Sequence, residues 1–147
     1  TQKVAEEFNN GMEFFNTFGG NPVSCAIAKT VLEVIEDEKL QENSLVVGNF
    51  LKTNLLELSS KYSIIGSVRG QGLFLGVEFV NKQLQPLAEQ ADYFVNRMKS
   101  YGILLSTDGP DHNVIKIKPP LVFSMQNAKD FLKYFTLVLQ EDLMQLN

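Results

Sequence analysis

The chain of 147 residues is 44% hydrophobic and 20% charged, which suits a globular protein with a core of its own. Acidic residues outnumber basic ones by 17 to 13, for a net charge of −4, so the charge balance gives no reason to expect nucleic acid or an anionic membrane as a partner. The single cysteine, Cys25, excludes an internal disulfide, and no run reaches the ~18 apolar residues of a membrane span, so the expected setting is the cytoplasm. The sequence begins at Thr1 with neither an initiator methionine nor a signal-peptide pattern, which suggests a processed chain or a piece of a longer one.

Val4, Ala5 and Phe8 form a short helical pattern, followed by an aromatic, glycine-rich stretch that ends in Asn21-Pro22. Asparagine followed by proline reads as an N-cap with proline at the first helical position. Ile27, Val31, Val34 and Ile35 then recur at helical spacing to about Asp37, and a second stripe of Val47, Phe50, Leu51, Leu55 and Leu58 predicts a helix from about Glu42 to Ser60. The period then changes. Ile64 and Val68 suggest a short strand, and Leu73, Leu75, Val77 and Phe79 alternate with Phe74, Gly76, Glu78 and Val80 as in a longer one. A helix follows from about Pro86 to Tyr101, with Ala91, Phe94, Val95 and Met98 inward and Gly102 ending it. Ile103 to Ser106 and Val114 to Ile117 read as strands around a polar turn at 108–113. Ser124 caps a last helix that buries Ala128, Phe131, Leu132, Phe135, Val138 and Leu139. Strand pairs separated by a helix predict an α+β fold: a small, mainly antiparallel sheet packed with helices.

Few residues carry chemistry. In Thr17-Phe-Gly-Gly-Asn-Pro22 a hydroxyl and two glycines precede a helix N-terminus, an arrangement that suits either a phosphate or an ordinary capped turn. Gly70-Gln-Gly-Leu-Phe-Leu-Gly76 resembles a dinucleotide loop only superficially. No helix follows it, so its glycines are expected to serve a tight turn and close strand packing. Arg69, one of two arginines, either binds an anion or holds backbone. Lys116 and Lys118 share one face of a strand, opposite Ile117, as solvated lysines or as the lining of an anionic pocket. His112 sits in the polar turn without the cysteine or acidic neighbours of a metal site, and Cys25 reads as a small buried residue.

Taken together, "TFGGNP" (17–22), "VLEVIEDEKLQEN" (31–43), "IIGSVRGQGLFLGVEFV" (64–80) and "KIKPPL" (116–121) resemble, in order and spacing, the C-terminal part of class III aminotransferases, the pyridoxal-phosphate enzymes of fold type I. "LLSTDGPDHNVIKIKPPLVF" (104–123) is most similar to the branch of ethanolamine-phosphate phospholyase and 5-phosphohydroxylysine lyase. The resemblance implies that residues 1–21 are a remnant of the large cofactor-binding domain and 22–147 the small C-terminal domain. It implies that Thr17, with backbone groups of Phe18 and Gly19, contacts the phosphate of pyridoxal 5'-phosphate across the interface of a homodimer. Lys116 stands where transaminases of the family usually carry an arginine that grips the substrate's α-carboxylate. Lysine offers a point charge in place of a bidentate fork, which suits a small amine substrate without a carboxylate, such as phosphoethanolamine. The family's Schiff-base lysine and the carboxylate partner of the pyridine nitrogen would precede Thr1, and Lys3 falls in the following helix. The resemblance therefore implies no catalytic residue in this chain, and an isolated chain without turnover.

Three functions compete: part of a phospholyase that removes an α-proton and expels phosphate from the β-carbon, part of a true class III transaminase, or a non-catalytic interaction module. Free phosphate as against a transferred amino group separates the first two, and sequence upstream of Thr1 isolates the third.

Overall fold

The computed structural model of the chain describes residues 1–145. The chain divides into two compact units, Thr1–Glu38 and the part that begins at Lys39. The division falls after the first long helix, whereas the sequence reading set the domain boundary before it, at residue 22.

The first unit holds α1 (Gln2–Phe8) and α2 (Pro22–Asp37). The Asn21 side chain accepts the Ser24 amide at 2.9 Å and Pro22 opens α2, which is the cap the sequence anticipates. The stripe of Ile27, Val31, Val34 and Ile35 is present, but no residue of α2 is buried. Cys25 is likewise exposed, not the small buried residue its helical position suggested.

The second unit runs α3 (Leu40–Ser59), β1 (Ile65–Gln71), β2 (Phe74–Phe79), α4 (Ala88–Ser100), β3 (Ser106–Asp108), β4 (Val114–Ile117) and α5 (Met125–Leu139). The four strands form one antiparallel sheet in the order β1-β2-β4-β3. Leu75, Val77 and Phe79 of β2 and Ile115 and Ile117 of β4 are buried with Leu51 and Leu55 of α3, Phe94 and Met98 of α4, and Phe131 and Phe135 of α5. Each such side chain contributes about 1.5–3 kcal/mol of burial. Phe94 is the hub, with ring centroids 5.2 Å from Phe79 and 4.6 Å from Phe135. The alternating residues of β2 and β4 face the other side, which the helices leave uncovered.

Glycine serves two junctions here. A two-residue turn joins β1 to β2 with Gly72 at its first position and φ +55°, a conformation glycine adopts without a Cβ penalty. Gly102, at φ +78°, closes α4: its amide donates to Lys99 O and that of Ile103 to Met98 O, a Schellman end.

One strand is displaced from its expected place. The sequence suggests Ile103–Ser106, whereas β3 is Ser106–Asp108. Ser106 pairs with Lys116, so continuing the ladder upstream would bring Ile103 opposite Pro119. The pairing ends at Ser106–Lys116, three residues short of that proline, where the chain leaves the ladder.

Arg97 ties α4 to the segment after α5. Its Nε and Nη2 donate to the Glu141 carboxylate at 2.7–3.0 Å, and the Tyr93 hydroxyl donates to the same group. The Arg97 bonds, then the Tyr93 bond, hold the Glu141 carboxyl below its ordinary range. A carboxyl whose folded pKa is depressed adds stability above its unfolded pKa and loses it as pH falls through the folded value. Glu141→Gln should therefore lower the melting temperature by a few degrees at pH 7, and the gap to the wild type should close as the pH is taken from about 5 to about 3. Thermal melts across that range check this; a gap independent of pH would assign the loss to packing.

Candidate functional site

The uncovered face of the sheet gathers most of the chain's distinctive polar residues. Cross-strand partners share a face, so the register sets two rows. Ser106, Lys116, Gly76 and Arg69 lie side by side across β3, β4, β2 and β1, and Asp108, Val114, Glu78 and Ser67 form the next row. The alternation expected for β4 holds: Ile115 and Ile117 are buried, Lys116 and Val114 face outward, and Lys118 is exposed.

Both cations of the first row reach diagonally to a carboxylate of the second. Lys116 Nζ lies 2.8 Å from Asp108 Oδ2. That bond, and then the Gly109 amide donating to Asp108, hold the Asp108 carboxyl below its usual range. Arg69 Nη1 donates to Glu78 Oε2 at 2.8 Å and to Ser67 Oγ at 2.6 Å, and Ser67 in turn donates to Glu78 at 2.8 Å. Arg69 first and Ser67 second lower the Glu78 pKa. Among the described residues Arg69 thus pairs with a carboxylate and a hydroxyl, not with backbone. Between the two pairs Gly76 carries no side chain, which leaves a cavity of about 440 Å³ lined by Arg69, Phe74, Gly76, Val114, Lys116 and Asp108 among others.

Thr17 belongs to the first unit, in a turn held by asparagines. Asn16 Oδ1 accepts the amides of both Phe18 and Gly19 at 2.9 Å, while Asn21 Nδ2 and Ser24 Oγ donate to Phe18 O at 3.1 and 3.2 Å. Gly20 stands at φ +75°. The Phe18 and Gly19 amides are therefore already engaged. The exposed Thr17 side chain makes no hydrogen bond among the described residues. Asn16 is the residue that sequence reasoning missed here; its place two residues before an amide in a Gly-rich turn was the available signal. Asp108 and Glu78 were missed because their pairing is a matter of register.

His112 is exposed in the turn after β3 at φ +52°, and the described residues contain no group of His, Cys, Asp and Glu suited to a metal. No helix among them is long and apolar enough to cross a membrane.

A family model for class III aminotransferases matches residues 1–139. The Drosophila melanogaster protein named alanine–glyoxylate aminotransferase 2-like is 47% identical, over 97% of this chain and 31% of that protein. The Caenorhabditis elegans protein named ethanolamine-phosphate phospho-lyase homolog 1 is 40% identical, over 86% of this chain and 28% of its own length. Among solved structures, an Arthrobacter phospholyase in complex with phosphoethanolamine superposes with a TM-score of 0.87 at 33% identity, covering 100% of this chain and 34% of that one. The chain thus spans about a third of the length of these relatives.

Proposed function

Because this chain belongs to the class III aminotransferase family, we propose that it forms part of a pyridoxal-phosphate enzyme that releases phosphate from phosphoethanolamine or a related phosphorylated amine. The observation that carries this reading is Lys116: a flexible point charge on the open face of the sheet, beside a cavity, at the position where the family resemblance leads one to expect an arginine fork. A point charge suits a phosphate, and it gives a carboxylate no bidentate seat.

The chemistry of the loop around Thr17 fits a cofactor phosphate in one respect and not in another. The threonine hydroxyl is exposed and unengaged, in a turn whose geometry Asn16 and Asn21 fix. The Phe18 and Gly19 amides would serve only if Asn16 released them, so the phosphate contact is assigned to Thr17. When bound, pyridoxal phosphate supplies the electron sink for bond breaking next to the substrate's amine. Thr17 holds and orients, Lys116 draws in the anionic end of the substrate, and the proton-transferring lysine is assigned to the part of the enzyme outside these residues. A homodimer and a cytoplasmic setting belong to the same proposal.

In the full-length enzyme Thr17→Ala should weaken cofactor retention by about ten- to a hundredfold, the equivalent of roughly 1.5–3 kcal/mol for one hydrogen bond to a charged group. Loss of cofactor absorbance on dilution measures it, and an unchanged rate of loss returns the loop to an ordinary capped turn. The function itself is tested by product analysis with phosphoethanolamine. Inorganic phosphate in step with substrate consumption supports the lyase. An amino group transferred to a 2-oxo acid with no phosphate released establishes the second reading, a transaminase, which the 47% identity to a protein of that name favours.

A further inference from the structure

The cavity above Gly76 has a feature that the proposed role of Lys116 leaves unexplained. Gly76 sits in the middle of β2 between two paired strands, and its φ is not positive, so the backbone there has no need of glycine. Glycine weakens the interior of a strand, and where conformation does not call for it, it often marks a place where something else approaches the backbone closely. A Cβ at Gly76 would meet Val114 Cγ1 at 3.1 Å, a tight contact with a side chain and not with backbone. On either side of the bare position stand Arg69 and Lys116, each a direct cross-strand partner of Gly76.

The geometry points to the hollow above Gly76 as a subsite for the phosphate of the substrate, with Arg69 as its second cationic wall and as a determinant of specificity for phosphomonoesters. This inference rests on the proposed reading of Lys116 and adds Arg69 and Gly76 to it. Partners in adjacent strands lie about 5 Å apart, so the α-carbons of Arg69 and Lys116 stand about 10 Å apart across Gly76. Two long side chains can close over a tetrahedral anion in that gap. The acids start from the next row: the α-carbons of Glu78, two residues along β2 from Gly76, and of Asp108, two along β3 from Ser106, lie about 7 Å further down the sheet, and their carboxylates reach back to Arg69 and Lys116 at 2.8 Å, Asp108 lining the same cavity. The face is thus ordered as a row of cations beside a row of carboxylates. The carboxylates hold Arg69 and Lys116 in place, and a phosphate carrying close to two negative charges at pH 7 competes for both cations. A carboxylate, with one charge and a planar shape, has less to offer a pair of walls that far apart.

Calorimetric titration of the full-length holoenzyme with inorganic phosphate tests this independently of turnover. Wild type should bind, and Arg69→Gln should weaken binding by about ten- to a hundredfold, with Arg69→Lys in between. Moving the side chain instead of removing the charge, through Gly76→Val with Val114→Ala, should cost at least tenfold by filling the floor at a net gain of only one side-chain carbon. Glu78→Gln decides between this role and a structural one. If Arg69 only braces the sheet, breaking its pair harms phosphate binding or leaves it alone; as a wall of the subsite, Arg69 freed of its carboxylate should bind phosphate about threefold more tightly. The KM for phosphoethanolamine should follow the same order, with kcat moving less. No binding of inorganic phosphate by wild type at millimolar concentration, or binding by Arg69→Gln within twofold of wild type, overturns the subsite. Should Arg69→Gln fail to fold, the Gly76/Val114 exchange and Glu78→Gln carry the decision. An enzyme that binds phosphate as described and yet releases none from phosphoethanolamine refutes the lyase reading and leaves the subsite standing.

Discussion

Gly48→Ala should strongly destabilise the second unit, although on general grounds the same change inside a helix gains about 1 kcal/mol. Gly48 is buried in α3, where the helix crosses the hairpin turn between β1 and β2. A Cβ there would lie 2.1 Å from the carbonyl oxygen of Gly72 and 2.2 Å from its carbon. These are backbone atoms and have no rotamer to escape into. The same helix also holds the turn by a hydrogen bond: the Leu73 amide donates to Ser44 Oγ at 3.1 Å, one turn before Gly48, and a Cβ on Gly72 would stand 2.7 Å from that oxygen. Helix and hairpin must therefore separate together, which pulls Val47 and Leu51 away from the sheet. Overpacking that moves backbone costs about 3 kcal/mol or more, or a fall of roughly 12–24 °C in melting temperature for a unit of this size. Thermal melts of the two proteins under identical conditions measure it. A variant that melts within a few degrees of wild type would mean that the close approach is not a feature of the folded state.

That contact shows where sequence reading ends. The change from helical to alternating periodicity placed β2, α4, β4 and α5, because each buries one face and the spacing of its apolar residues records which. The turn at Gly72 was legible from its glycine, another local signal. Which helix would touch that turn was not, since Gly48 lies in a helical stripe that would look the same with alanine. The stripe of α2 was correctly read as helical, but periodicity does not say what covers it, and in this chain Ile27 and Val31 stay exposed. The strand near residue 105 was misplaced because its limits are set by pairing with β4 across the sheet, beyond the reach of a local pattern.

The candidate site divides in the same way. Lys116 and its facing side followed from alternation within one strand. Its partner Asp108, the matching pair of Arg69 and Glu78, and the position of Gly76 between them all depend on how four strands align. The Thr17 loop was legible as a capped turn through Asn21 and Pro22. That Asn16 occupies the Phe18 and Gly19 amides is a matter of side-chain geometry that residue types alone leave open.

Lys116→Arg in the full-length enzyme should shift preference toward ordinary α-amino acids, raising the ratio of kcat/KM for alanine to that for phosphoethanolamine by about tenfold or more. Two effects act, and the first sets the preference. An arginine fork offers a carboxylate two parallel bonds where lysine offers one charge, and such paired, charge-assisted bonds are about twice as strong as neutral ones. The longer, planar side chain also engages Asp108 more firmly. Lys116 now meets that carboxylate through one bond at 2.8 Å, with the aspartate side chain 57% exposed, so the present pair is screened and readily exchanged. A fork locked on Asp108 would be less available to either substrate anion, which lowers both activities. Asp108→Asn separates the two effects: in the Lys116→Arg background it should restore part of the activity toward phosphoethanolamine while keeping the gain toward alanine. Steady-state kinetics with both substrates on the four proteins of the cycle gives the coupling between the two positions directly. If wild type already prefers alanine and releases no phosphate, the point-charge argument for a phosphorylated substrate fails at its source, and the enzyme is a transaminase that uses lysine in place of the fork.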